Sequence, residues 1–154
     1  MKTLNKLMLS FLLTFAVLQA FAYDFQEGNL RYTIISANPP EVSVSGHVNG
    51  TSAQGTLTIP DTVSHDGVTY TVTEIGERAF QNCTSLSGDL VIPNTVRRIE
   101  TEAFECCSGF HGTLTLSNQL VYVGYLAFNN CCNFQGILTL PESLDIIDRK
   151  AFIG

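Results

Sequence analysis

The five cysteines have the clearest chemical potential in this chain, because thiols can form disulfides or bind metals. Cys83, Cys107 and Cys131 recur at one constant interval, whereas Cys106 and Cys132 stand outside that series. If equivalent positions stack at the ~4.8 Å spacing of strands, the recurring cysteines fall within the ~4.4–6.8 Å span of a disulfide. A small apolar filler also explains them adequately, and an odd number of thiols cannot pair completely. We expect these three to be reduced and buried, with the other two more exposed, and a disulfide is the alternative.

The adjacent pairs Cys106-Cys107 and Cys131-Cys132 could together offer four thiolates to zinc. Paired zinc ligands usually lie two to four residues apart, so that both can turn toward one ion. Neighbours in sequence point apart. The sequence therefore predicts no metal site.

The three histidines give little support for catalysis. His47, His65 and His111 have no serine, cysteine or carboxylate at a spacing that suggests a triad or a ligand set. No glycine-rich loop has the form that binds nucleotide phosphates. We expect all three histidines on the surface, no cofactor and no enzymatic activity.

An internal repeat must position these residues. Four Ala-Phe pairs recur at the same interval as the cysteines: Ala79-Phe80, Ala103-Phe104, Ala127-Phe128 and Ala151-Phe152. Four segments of related sequence begin at Gly55, Gly88, Gly112 and Gly136, and we call the units that they open the first to fourth coils. A period in the range of about 20–50 residues indicates units that stack on one another in a solenoid, because a single unit cannot bury its own apolar side.

Each coil contains a Leu-x-Ile or Leu-x-Leu segment that alternates as a short strand, and equivalent strands should pair in parallel. The outward positions form the first candidate binding face, which comprises Thr56, Thr58, Asp89, Val91, Thr113, Thr115, Ile137 and Thr139. Threonine also simply suits an exposed strand, which is the alternative explanation. A second candidate strip comprises Arg97, Arg98, Val121, Tyr122, Asp145 and Ile146, which include residue types that anchor interfaces.

Residues 1–22 have the pattern of a secretion signal. Lys2 and Lys6 precede an apolar run, and Ala20-Phe21-Ala22 matches the small-x-small cleavage site, which predicts a mature start at Tyr23. A membrane anchor is the alternative, but the run is shorter than the ~20 residues that a spanning helix needs. The net charge of −6 disfavours binding to nucleic acid or to anionic lipid. We expect an exported protein, extracellular or at the cell surface, whose mature chain does not enter a membrane.

Residues 23–54 lie outside the period, and their alternating apolar residues predict an antiparallel β cap. Residues 55–154 form the predicted repeat array. The first coil carries a nine-residue insertion near 63–72, whose Asp66-Gly67 predicts a hairpin turn. The fourth coil is incomplete, so its open edge predicts self-association.

The pattern Leu-x-Ile-Pro-x-x-Val-x-x-Ile-x-x-x-Ala-Phe-x-x-Cys, clearest from Leu90 onward, resembles the BspA-type leucine-rich repeat of bacterial surface proteins. Ser117 in place of proline and Leu126 before the third Ala-Phe depart from it. The resemblance implies a mainly β leucine-rich repeat solenoid: stacked 24-residue coils with parallel strands and turns or single helical turns, behind the antiparallel β cap. It also implies a bacterial protein that is non-catalytic and binds host or bacterial surface proteins or glycans.

These observations predict an exported binding or adhesion module that uses its sheet face to bind protein or glycan ligands. The alternative is a truncated fragment or structural spacer of a larger repeat protein. Neither the repeat nor the composition identifies the ligand.

Overall fold

The computed structural model describes residues 23–154, so the predicted secretion signal at residues 1–22 lies outside the described part. The described part begins with three antiparallel strands, β1 (Phe25–Glu27), β2 (Leu30–Ala37) and β3 (Pro40–His47). A 3-10 turn at Gly50–Ser52 follows. The strands beyond it are β4 (Gln54–Gly55), β5 (Thr62–His65), β6 (Val68–Ile75), β7 (Ser85–Leu86), β8 (Gly88–Val91), β9 (Arg98–Ile99), β10 (Phe110–Thr115), β11 (Tyr122–Val123) and β12 (Ile146–Ile147).

The largest sheet joins the N-terminal strands to the repeats in the order β1-β2-β3-β6-β9-β11-β12. Pairing becomes parallel at β3, where Val42 lies opposite Val72 and Val44 opposite Ile75. The parallel pairing continues through β9, β11 and β12. The last strand of the cap therefore acts as a preceding layer of the array, which pure antiparallel pairing would not provide.

Backbone hydrogen bonds also show that β3 is equivalent to the strands of the later layers. The Gly76 N–H donates to the Val44 carbonyl at 2.9 Å, just as Glu100 N–H donates to Ile75 at 2.9 Å and Gly124 N–H to Ile99 at 2.8 Å. Val44 thus takes the position that an isoleucine or valine occupies in each later layer.

β5 and β6 form an antiparallel hairpin in the first coil, with Thr62 opposite Thr71 and His65 opposite Val68. Asp66 and Gly67 make its turn with φ values of 49° and 77°. Two consecutive positive φ values suit the tight turns that match the twist of paired strands. The hairpin covers the cap, because the His65 ring stacks on Phe25 with centroids 4.2 Å apart.

The predicted ladder of Leu-x-Ile strands is shorter than the sequence suggests. β8 and β10 pair in parallel, with Leu90 opposite Leu114, but residues 56–60 and 137–141 belong to no strand. Isolated backbone hydrogen bonds beside these segments join them to the neighbouring coil, such as the bond from Gln135 N–H to the Gly112 carbonyl at 2.7 Å.

The Ala-Phe segments are turns that stack directly over one another. The Phe80–Phe104, Phe104–Phe128 and Phe128–Phe152 ring centroids lie 5.1 Å, 5.2 Å and 5.1 Å apart, and the rings are within 9° of parallel. This stack confirms the predicted solenoid. Within residues 23–154, no helix is long and apolar enough to cross a membrane.

Left-handed backbone recurs in these turns and was not predicted. Arg78, Glu102, Leu126 and Lys150 share one such column, and Asn82, Cys106, Asn130 and Gly154 share another, with non-glycine φ values between 55° and 61°. Asparagine and glycine tolerate this conformation best, so their recurrence in the second column was the available signal. Cys106, which stands outside the regular cysteine series, occupies the column of Asn82 and Asn130. Leu126 occupies the column of Arg78 and Glu102.

Candidate functional site: the sheet face of the array

All residues of the first candidate face are exposed, as their alternation with apolar residues predicts. The set is Thr56, Thr58, Asp89, Val91, Thr113, Thr115, Ile137 and Thr139. Leu90, between two of them, is completely buried, whereas Val91 is 55% and Ile137 93% exposed. The face therefore presents threonine hydroxyls together with branched apolar side chains.

Three concavities lie next to one another along this face, and we call them together the face trough. One of about 490 Å³ lies between the cap and the first coil, one of about 560 Å³ spans the first and second coils, and one of about 260 Å³ spans the third and fourth. Leu57 and Thr58 line both the first and the second, and Thr115 lines both the second and the third. The three concavities therefore lie in a row across the coils, an arrangement that suits an extended ligand.

Asp89 has a structural task within the face. Its carboxylate accepts hydrogen bonds from the Thr113 N–H at 2.6 Å and the Thr113 hydroxyl at 2.9 Å. A side chain at Gly112 would collide with it, since a Cβ there would lie 2.4 Å from Asp89 Oδ1. The hydrogen bonds from Thr113 lower the pKa of Asp89. Asp89 therefore joins two coils and is not a free ligand group.

The second candidate strip is also exposed, but its arginines are paired within the chain. Arg97 forms an ion pair with Glu41 of the cap. Arg98 donates to Glu100 at 2.7 Å, and its guanidinium carbon lies 4.3 Å from the centroid of the Tyr122 ring. The hypothesis that these arginines are free anchors for a partner is therefore weakened, because binding would compete with existing contacts.

The remaining residues of this strip have mixed character. Val121 is 39% and Ile146 50% exposed, and Asp145 is exposed beside them. Tyr122 is partly buried, and its burial raises the pKa of its hydroxyl.

A polar ladder along the Ala-Phe turns was missed by the sequence reasoning. Gln81 donates to Glu102 at 2.9 Å and to Glu105 at 2.6 Å, and Asn129 donates to Glu105 at 3.0 Å. Arg78 also donates to Glu102 at 2.6 Å, and this bond lowers the pKa of Glu102. The signal was the 24-residue spacing of Gln81, Glu105 and Asn129. The ladder therefore joins successive coils.

The column cysteines are free thiols that bond to backbone carbonyls of the preceding layer. Cys107 donates to Phe80 and Cys131 to Phe104, each at 3.0 Å, and Cys83 donates to Gly50 at 3.4 Å. Burial raises the pKa of Cys83 to about 11, and the neighbouring Cys131 thiol, followed by burial, raises that of Cys107. Cys83 and Cys107 are buried, and Cys131 is half-buried.

The two other cysteines follow expectation in their exposure, since Cys106 is half-buried and Cys132 exposed. Among residues 23–154, no group of three or more His, Cys, Asp or Glu side chains is arranged to hold a metal ion.

The prediction that all three histidines lie on the surface is wrong for His47, which is 8% exposed. Its Nδ1 accepts a hydrogen bond from the Asn49 N–H at 3.1 Å, so the ring is held against the backbone that leaves β3. His65 is half-buried by its stacking on Phe25, and His111 is exposed. The error arose because the packing of the cap on the first coil has no signature in the repeat.

The repeat sequence can now be compared with known families. Residues 67–154 match the family model described as "BspA type Leucine rich repeat region (6 copies)". The chain belongs to the BspA-type leucine-rich repeat family. A search of curated proteins found no match.

Solved structures support the same conclusion. A leucine-rich repeat protein from Bacteroides capillosus ATCC 29799 is 27% identical with a TM-score of 0.65, over 81% of this chain and 87% of that one. One from Bacteroides ovatus ATCC 8483 is 29% identical with a TM-score of 0.56, over 79% of this chain and 36% of that one. Both share the leucine-rich repeat architecture with this chain.

A leucine rich cell surface protein from Faecalibacterium prausnitzii A2-165 is similar in fold. It is 24% identical with a TM-score of 0.61, over 73% of this chain and 29% of that one. The chain thus spans less than a third of that protein and little more than a third of the Bacteroides ovatus protein.

Proposed function

We propose that this BspA-type repeat protein is an exported, non-catalytic binding or adhesion module, which holds protein or glycan ligands of host or bacterial surfaces in its face trough. The observation that carries the proposal is the row of three neighbouring concavities across the coils, which share the lining residues Thr58 and Thr115. An extended surface with many moderate contacts suits recognition of a macromolecule.

Two observations support the surface location and the lack of catalysis. Residues 1–22 have the pattern of a secretion signal, and a structurally similar protein is described as a cell surface protein. The buried thiols and the carboxylates of Asp89 and Glu102 are engaged in contacts between coils. These groups stabilise the stack, so they are poor candidates for a nucleophile or a general base.

The test is binding of the purified protein to intact epithelial cells, bacterial cells and immobilised matrix proteins. Thr115→Arg places a long charged side chain in the middle of the trough, and Thr84→Arg is the matched control on an exposed turn. We expect Thr115→Arg to weaken binding at least tenfold and Thr84→Arg to leave it unchanged. Equal binding by both variants would overturn the use of the trough, and no binding to any surface would overturn the function.

The alternative role is a spacer segment of a larger repeat protein. The observation in its favour is that similar solved proteins are longer, since this chain covers 29% and 36% of two of them. In that case the purified protein would not bind epithelial cells, bacterial cells or matrix proteins, and Thr115→Arg would have no effect on binding.

We also propose self-association through the fourth coil. Ile147 and Leu138 are 44% and 38% exposed, whereas their equivalents Val123 and Leu90 are completely buried. A cavity of about 190 Å³ lies beside Leu138 and is also lined by Phe134 and Phe152. A second copy supplies a surface of matching chemistry, and light scattering as a function of concentration measures the association.

A further inference from the structure

The concavity between the cap and the first coil differs in chemistry from the rest of the face trough, and we call it the cap cleft. Its volume of about 490 Å³ falls within the range of small-molecule sites. The β1–β2 turn and the end of β3 form one wall, and residues 56–58 with β5 form the other. Both walls are rigid, because Arg31 of β2 donates to the Val48 carbonyl at 2.7 Å and β5 is paired with β6.

His47 supplies a donor to this cleft. Its Nδ1 accepts the Asn49 N–H, so in the neutral ring the proton is on Nε2. Burial, and then the charge of Arg31, lowers the pKa of His47, which keeps the ring neutral near pH 7. Within residues 23–154, no protein hydrogen bond engages Nε2. The Nε2–H is therefore available to a ligand or a water molecule that enters the cleft.

Tyr32 lines the same cleft and is only 1% exposed. Its ring packs on Phe25 with centroids 5.3 Å apart, which fixes its position. Burial, and then the charge of Glu27, raises the pKa of Tyr32 to about 12, so the hydroxyl keeps its proton. In the described part of the chain, no hydrogen bond engages this hydroxyl, which can therefore both donate and accept.

The other polar side chains that line the cleft include both hydrogen-bond donors and acceptors. The Glu27 carboxylate accepts only, whereas the Asn29 amide and the Thr58 and Ser64 side chains can donate and accept. Leu30, Leu57 and Val63 supply an apolar part of the wall. No lysine or arginine is among the described residues that line the cleft, whereas the Glu27 carboxylate is, which favours a neutral ligand over an anionic one.

We propose that the cap cleft binds one neutral sugar residue, at the end of a glycan that continues along the face trough. A pyranose carries hydroxyls that donate and accept at once, and these match His47 Nε2–H, Glu27 and the Tyr32 hydroxyl. Its C–H face matches the apolar wall formed by Leu30, Leu57 and Val63. The inference rests on the proposed function and narrows its ligand class to glycans.

The test uses neutral trisaccharides of glucose, galactose, mannose and N-acetylglucosamine, with binding to the purified protein measured by saturation-transfer NMR and calorimetry. Sialylated and sulfated trisaccharides and a set of unmodified peptides are the comparison probes. We expect at least one neutral trisaccharide to bind. Tyr32→Phe should weaken it roughly fivefold, the value of one neutral hydrogen bond.

Tyr70→Phe is the matched control, because Tyr70 packs near Phe25 but does not line the cleft. It should leave the affinity unchanged. If Tyr32→Phe fails to fold by circular dichroism, Thr58→Val on the exposed wall gives the same test. Failure of every neutral trisaccharide to bind, preference for the charged sugars or the peptides, or equal loss in Tyr32→Phe and Tyr70→Phe would each overturn the inference.

The outcome is separable from that of the proposed function. If Thr115→Arg abolishes binding to cell surfaces while no sugar enters the cleft, the trough function holds and the cap cleft is not a sugar site. If a trisaccharide binds with the expected Tyr32 dependence but no cell or matrix surface is bound, the cleft site holds and the adhesive function fails.

Discussion

The two ends of the array carry the same apolar columns but bury them to very different degrees. At the cap end, Val44 and Ile75 are completely buried because β3 and β6 lie against each other. In the fourth coil, the equivalent Ile147 is 44% exposed. The residue type is nearly constant along the column, so burial here depends on the neighbouring layer and not on the residue itself.

The largest expected effect compares an interior phenylalanine with the terminal one. Phe104 is completely buried between two rings at 5.1 Å and 5.2 Å, whereas Phe152 has one ring neighbour and is half-buried. Phe104→Ala should lower the free energy of unfolding by about 3–5 kcal/mol, and Phe152→Ala should lower it by less than half as much. Urea denaturation measures both values. Equal losses would contradict the view that each layer is stabilised by its neighbours on both sides.

A smaller effect is expected where the cap meets the array. Val44→Ala removes buried methyl groups from the layer that covers Ile75 and should cost about 2 kcal/mol. Ile147→Ala in the fourth coil should cost less than about 1 kcal/mol, because its side chain is already half in water. Thermal and urea unfolding give the comparison. A greater cost at Ile147 would show that the exposed end is covered in solution.

The proposed self-association is tested by a charge on the exposed end. Ile147→Glu should reduce the apparent molecular mass in light scattering at high concentration and change stability by only about 0.5 kcal/mol. Val68→Glu is a matched control, since Val68 is 39% exposed on the β5–β6 hairpin at the opposite end. A concentration-independent monomer in the unmodified protein would contradict the proposal.

The smallest effect concerns the pH dependence at the cap. The pKa of His47 is lower in the folded protein than its ordinary 6.5, so the unfolded chain binds more protons as the pH falls below that value. The His47 contribution to stability is therefore present above pH 6.5 and is lost progressively as the pH falls through the folded pKa. The difference between the unmodified protein and His47→Gln, measured by denaturation between about pH 5 and 8, isolates it. A difference that does not change with pH would contradict the prediction.

The repeat made most of the array predictable. The Ala-Phe column led directly to the stacked rings, and the alternation around Leu90 placed Asp89 and Val91 on the exposed face. These predictions succeeded because they depend on periodicity, which requires like residues to lie over like residues. The ion pair between Arg97 and Glu41 was not predictable, because it joins residues 56 positions apart across the boundary between the cap and the array.

By itself, the amino-acid sequence determined the period, the identity of the buried columns and the exposed face, because each coil repeats the same order of apolar and polar residues. Only the tertiary structure decided that β3 pairs in parallel with β6, that His47 is buried and that the cap cleft lies between the cap and the first coil. Those features arise where the periodic array meets a segment that lies outside the period. Contacts across such a junction depend on how two different surfaces pack, and no spacing within either segment encodes that.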